Sequence, residues 1–183
     1  MKIKSAVIGL IAGMLAILGT TEALSQYSPG RVQFICREGY DPQNGQYVPT
    51  TFAWTGGKKI AIIRWRSDSI LSAGDQTKTR CNAVAYRLQT YYDSDRLRYL
   101  SHGIMNRQKV ICVTDNLGSS CSGLLFTLRP QDNPDLVLEQ LLDIFNGTRR
   151  SVINQNSGAP QLYGEINIDE LLKILLPGDN SEN

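Results

Sequence analysis

Four cysteines, Cys36, Cys81, Cys112 and Cys121, all lie downstream of an N-terminal stretch ordered like an export signal. Thiols outside the cytoplasm are kept oxidised, so the chain is expected to fold around two covalent links. They can pair in three ways, and local context favours one. If Val110 to Thr114 and the residues from Cys121 onward form a hairpin around Asp115-Asn116-Leu117-Gly118, the midpoint of 112 and 121 falls between Asn116 and Leu117. The two cysteines would then stand directly opposite each other. A non-hydrogen-bonded cross-strand pair has Cα atoms about 4.5 Å apart, which a disulfide tolerates. That leaves Cys36, on a strand, to meet Cys81, on a helix. On the chain-entropy view the short loop contributes roughly 3 kcal/mol and the long one roughly 4. A zinc centre would need all four thiolates to converge, and separations of 45, 31 and 9 contain no close C-x-x-C pair. No metal and no cofactor is expected.

The export segment begins with the cationic Met1-Lys2-Ile3-Lys4 and continues through an uncharged run from Ser5 to Thr21, apolar from Ala6 to Leu18. That is the n-region and h-region order of a secretory signal. Ala23-Leu24-Ser25 supplies the small residues of a cleavage site, so residues 1–25 are read as the signal and Gln26 as the mature start. The alternative is an uncleaved anchor, since the run sits at the lower limit for spanning a bilayer. No cysteine near the cleavage site could carry a lipid, and no Arg-Arg pair precedes the apolar run. Removing Lys2, Lys4 and Glu22 from 19 basic and 17 acidic side chains leaves 17 and 16. A near-neutral chain without a basic block has no electrostatic reason to bind nucleic acid. What remains is the size of one ordinary domain, able to bury a core without its bridges.

Alternation of Val32, Phe34 and Cys36 marks a half-buried strand over Arg31–Arg37, and Gly39 to Gly45 reads as a turn. Thr50–Thr55 and Lys59–Ser67 form a hairpin about Gly56-Gly57, with Ala61, Ile63 and Trp65 on its apolar face, and Gly74-Asp75 closes the β section. From Thr77 to Tyr92, Cys81, Val84, Ala85, Leu88 and Tyr91 or Tyr92 recur at helical steps. Strands follow around Arg96–His102, Gln108–Thr114 and Gly123–Arg129. Asn133-Pro134 opens a helix whose stripe is Leu138, Leu141, Leu142 and Phe145, stopped by Gly147. Asn167, with Glu170 three later, caps a short helix through Leu176. Asn154–Pro160 reads as a linker and Asp179–Asn183 as a tail. The fold class is α+β: an antiparallel sheet of five or six strands with two or three helices on one face and two disulfides. Residues 26–150 form the disulfide-stabilised domain, and 151–183 a linker and short C-terminal helix.

Phe34-Ile35-Cys36, Pro49-Thr50-Thr51, Trp65 with Ser67, Arg80-Cys81, Val110-Ile111-Cys112, and Cys121 followed by Leu125-Phe126-Thr127-Leu128 resemble, in this order, the cyanobacterial circadian oscillating protein family. The resemblance covers approximately residues 32 to 147. It implies an exported or membrane-associated protein, and it carries over no activity, cofactor or catalytic residue.

His102 is the only histidine, so any Ser-His or Cys-His mechanism must use it as base. A histidine before Gly103 at a strand end has the simpler role of a solvated loop residue. Gly118-Ser119-Ser120-Cys121-Ser122-Gly123 resembles a nucleophile elbow, but Ser122 stands where that motif needs glycine and a hairpin stands where it needs a strand-to-helix turn. Asp169-Glu170 and Asp93 with Asp95 are explained by helix-start and turn duties. Arg64 and Arg66, on one strand face with Trp54 nearby, could hold an anionic glycan or lipid headgroups, although cross-strand charge pairing explains them too. Asn146-Gly147-Thr148 spells a glycosylation acceptor at a helix end, an accidental match. Two functions survive. One is an exported, non-catalytic envelope or thylakoid protein that binds an unknown protein or envelope component, with possible peripheral membrane association; the other is a small extracytoplasmic hydrolase using His102.

Overall fold

The computed structural model describes residues 31–55, 57–66, 73–147 and 163–175. The expected export signal, the Asn154–Pro160 linker and the Asp179–Asn183 tail lie outside these residues. Strands β1 (Gln33–Asp41) and β2 (Gln46–Trp54) form a long hairpin whose turn is tied by its first residue. Asp41 O accepts from Gly45 N at 2.9 Å, Asp41 Oδ1 accepts from Gln43 N at 3.2 Å, and Gly45 supplies the left-handed step at φ 66°. The turn is therefore shorter than the Gly39–Gly45 expected. Gly39 is a strand residue, and it is glycine because a Cβ there would come within 2.7 Å of Thr50 Oγ1 and 2.8 Å of Phe52 Cζ. Strand β3 (Lys59–Arg64) pairs with β2 through a bulge at Ile62. The extra residue resets the alternation, so Ile62 and Trp65 are buried while Ala61 and Ile63 are half-buried.

Helix α1 (Ala73–Asp93) buries the expected stripe of Cys81, Val84, Ala85 and Leu88. It begins four residues before Thr77, because a first turn needs no apolar stripe and periodicity cannot reveal it. Strands β4 (Tyr99–Met105), β5 (Gln108–Thr114) and β6 (Cys121–Thr127) follow as antiparallel neighbours. Asn106 and Arg107, at φ 51° and 62°, make the two-residue turn between β4 and β5 without a glycine. Helix α2 (Pro134–Asn146) starts as its sequence dictates. Asn133 accepts from Asp135 N and Leu136 N, Gly147 ends the helix at φ 62°, and Leu138, Leu141, Leu142 and Phe145 are buried.

A strand absent from the sequence reading, β7 (Tyr163–Glu165), pairs with β4, and helix α3 (Ile168–Leu175) packs on α2. Asn146 fastens the return, donating to Glu165 O at 2.9 Å and accepting from Asn167 N at 2.8 Å. Asn167 caps α3 as expected, but Glu170 pairs with Lys173 at 2.7 Å.

The class is α+β with antiparallel strands, three helices and two disulfides, and the strands are divided between two sheets, ordered β1-β2-β3 and β6-β5-β4-β7. The division has a physical cause. Helix α1 lies along the outer edge of β6 and occupies its carbonyls: Arg80 Nη2 donates to Thr127 O at 2.8 Å, Arg87 Nη1 to Leu125 O at 3.0 Å, and Tyr91 Oη to Leu124 O at 3.0 Å. Side chains on that edge leave no place for a further strand, so the first sheet cannot continue into the second. One core joins them, with Phe34, Ala53 and Ile62 from the first sheet, Leu100, Ile111 and Leu125 from the second, and Leu88, Phe145 and Leu171 from the helices.

Candidate functional site

One disulfide ties the first sheet to α1 beside Trp65, and the other lies within the second sheet. Cys36 on β1 is bonded to Cys81 on α1, with Cα atoms 5.6 Å apart. Opposite Cys36 on β2 is Thr51, whose hydroxyl accepts from Trp65 Nε1 at 2.9 Å and lies 3.7 Å from Cys81 Sγ. The staple and the indole are thus held by one buried threonine. Cys112 and Cys121 are also bonded, but they do not face each other directly. Cys121 stands opposite Thr114 and Cys112 opposite Leu124, because register shifts in β6 separate the two pairs. The bond runs diagonally and remains possible at a Cα separation of 5.6 Å. Its sulfur leans over β4, where a Cβ at Gly103 would meet Cys121 Sγ at 2.9 Å.

Between the sheets runs a groove of about 510 Å³. One wall is residues 62–66, the other is residues 126–129, and α2 contributes Val137, Leu141 and Ile144. The first wall is the end of β3, the outer strand of its sheet, at Ile62, Ile63 and Arg64, continued past the strand by Trp65 and Arg66. The floor is Trp65 and Phe126, in edge-to-face contact with ring centroids 5.8 Å apart. Arg64, Arg66, Arg80 and Arg129 supply the charge.

The four arginines differ in how far they are neutralised. Arg66 donates from Nε and Nη2 to Asp41 Oδ2 and Oδ1, at 2.6 and 2.8 Å, and Asp41 has no solvent exposure. Hydrogen bonding from Arg66 is the main reason the Asp41 carboxyl is held below its usual range; burial opposes it, while the Gln43 amide and the charges of Arg66 and Arg64 assist. Arg129 pairs with Asp132 at 3.3 Å. Arg80 donates to a carbonyl and lies over the Trp65 ring at 5.0 Å, and exposed Arg64 makes a 3.4 Å contact with Tyr40 O. Among the described residues neither Arg64 nor Arg80 forms an ion pair.

Of the residues singled out from the sequence, Arg64 and Arg66 do line one site, but their aromatic companion is Trp65. Trp54 lies at the other end of the hairpin, opposite Lys59. Cross-strand charge pairing holds for Arg66, which reaches back to β1. His102 Nε2 lies 2.8 Å from Asp135 Oδ1 at the start of α2, in an ordinary His-carboxylate contact. It stands opposite Ile111, while the Ser119–Ser122 segment begins beyond Thr114, about 10 Å further along the strand. There Ser122 Oγ donates to Asp115 at 2.8 Å, and Ser119 bonds Asn116 within the turn. The structure does not bring the histidine and the serines together. Asp93 pairs with Arg31 at 2.6 Å, Asp95 takes a turn at φ 55°, and Asp169 and Glu170 lie in the first turn of α3. Among the described residues no three His, Cys, Asp or Glu side chains gather to hold a metal, and no described helix is long and apolar enough to cross a membrane. Asp41, Arg80 and Arg129 were missed. Nothing local in the sequence ties Asp41 to Arg66, 25 positions away, or Arg80 to the wall of β6.

Fold and groove together define a disulfide-braced α+β domain with an arginine-lined cleft between two sheet edges. Residues 33–173 match the family described as circadian oscillating protein COP23, and the chain belongs to that family. The match runs through β7 and into α3, further than the sequence resemblance to residue 147. No curated protein matches the chain, and no solved structure does.

Proposed function

We propose that the chain is an exported, non-catalytic protein that acts by binding a partner, a protein or an envelope component, at the cell envelope or thylakoid membrane. The groove carries this reading: it pairs unneutralised guanidinium groups with an aromatic floor on a frame pinned by two disulfides. Such bonds persist in oxidising compartments, which supports an extracytoplasmic site of action. The nearly balanced net charge gives no support to nucleic acid as the partner. The hydrolase alternative rests on His102 and Asp135, which would supply a base and its orienting carboxylate, while the Ser119–Ser122 hydroxyls singled out as its nucleophiles lie elsewhere on the second sheet. The test is chemical crosslinking in intact cells, followed by isolation of the chain and intact-mass analysis. A defined crosslinked species and four oxidised cysteines are expected. Recovery of the chain solely as an uncrosslinked monomer, or with free thiols, would refute the proposal.

A further inference from the structure

The walls of the groove are two strand edges, and that fact restricts what can fill it. Among the described residues β3 is the outer strand of its sheet with no partner on its far side, and its end at Ile62–Arg64 lines the cleft. Edges of this kind recruit an extended segment through main-chain hydrogen bonds, with alternate side chains supplying selectivity. The opposite edge, β6, is not equivalent, since Arg80 and Arg87 already take its Thr127 and Leu125 carbonyls. Charge decides the chemistry of the occupant. Among the described residues Asp41 neutralises Arg66 and Asp132 neutralises Arg129, while Arg64 and Arg80 have no carboxylate partner.

We infer that this groove takes an extended acidic segment of a partner protein, which adds as a strand to the outer edge of β3. Its carboxylates face Arg64 and Arg80, and its alternate apolar side chains meet the half-buried Val137 and Ile144 of α2. The inference rests on the partner-binding function proposed above and names its site and the chemistry recognised there.

The test uses the oxidised full chain and a fluorescent hexapeptide alternating valine and glutamate. Two controls accompany it: a valine–lysine counterpart, and the valine–glutamate peptide N-methylated at alternate amides. Saturable binding of the first peptide is expected, with none of the lysine version and at least a tenfold loss on N-methylation. Arg64→Glu should weaken binding about fivefold, as expected for one exposed ion pair. This side chain is exposed, so the variant should keep the far-ultraviolet circular dichroism of the parent. Equal binding of the N-methylated peptide would overturn strand addition. Indifference to Arg64→Glu, or displacement of the peptide by phosphatidylglycerol vesicles, would overturn the acidic-peptide assignment, the latter in favour of lipid headgroups. If no acidic peptide binds while the chain still crosslinks to a partner in cells, this site assignment falls and the broader function stands; loss of both removes both.

Discussion

Asp41 is a carboxylate without solvent contact, and burying such a charge is tolerable only when it is paired and fully hydrogen-bonded. Arg66 supplies the pair, and Gln43 N and Asn44 Nδ2 supply further donors. In the unfolded chain the group titrates near the ordinary carboxylate value of about 3.9, and in the folded chain below it. The folded state therefore binds its proton less readily. The resulting stability is fully present above about pH 5 and is lost as pH falls through the unfolded and then the folded value. Asp41→Asn should lower the urea midpoint at neutral pH and flatten its decline on acidification, as equilibrium unfolding at a series of pH values would register. A variant with the parent's acid dependence would exclude this carboxylate as its source. Arg66 was legible as a charged residue beside an aromatic, but its partner was not, because Asp41-Pro42 carries the composition of an ordinary turn.

At the scale of elements, the two disulfides close loops of different length, 45 and 9 residues apart in sequence. Restricting the unfolded chain over the longer loop should contribute about 4 kcal/mol against about 3 for the shorter. Denaturant unfolding of Cys36→Ala/Cys81→Ala and of Cys112→Ala/Cys121→Ala should rank them in that order. The reverse ranking would mean that contacts near Trp65 and Thr51, or the bulged hairpin, outweigh chain entropy. The edge of β6 makes a second element-scale prediction. Arg87 donates to the carbonyl of Leu125 in a half-buried hydrogen bond, so Arg87→Ala should cost about 0.5–1.5 kcal/mol. It should also expose a pairing edge, visible as increased light scattering on warming. Unchanged melting and scattering would show that the helix shields the edge by packing alone.

Across the whole molecule, the segment after the Asn154–Pro160 stretch belongs to the same body as the rest. β7 extends the second sheet, and Leu171 and Leu175 on α3 enter the common core. Leu171 has no solvent exposure, so Leu171→Ala should destabilise the entire domain by about 2–5 kcal/mol in one cooperative transition. A biphasic melt, with α3 lost first and the two sheets unaffected, would show instead that the closing helix is an independent unit.

Much of the local structure was legible because it is encoded within a few residues. The stripe Leu138, Leu141, Leu142, Phe145 and the cap Asn133 fix α2 wherever the chain goes, since helical period and capping are short-range effects. The cysteine pairing followed from a hairpin and elimination, even though bulges in β6 shifted its register. Three features are not local. Whether strands join one sheet or two depends on which edge α1 covers; a three-residue strand such as β7 exists only because β4 offers an edge to pair with; and the groove is the space between two walls, residues 62–66 and 126–129, far apart in sequence. Tertiary packing decided these, because an edge, a gap and a buried ion pair have no energy until distant segments meet.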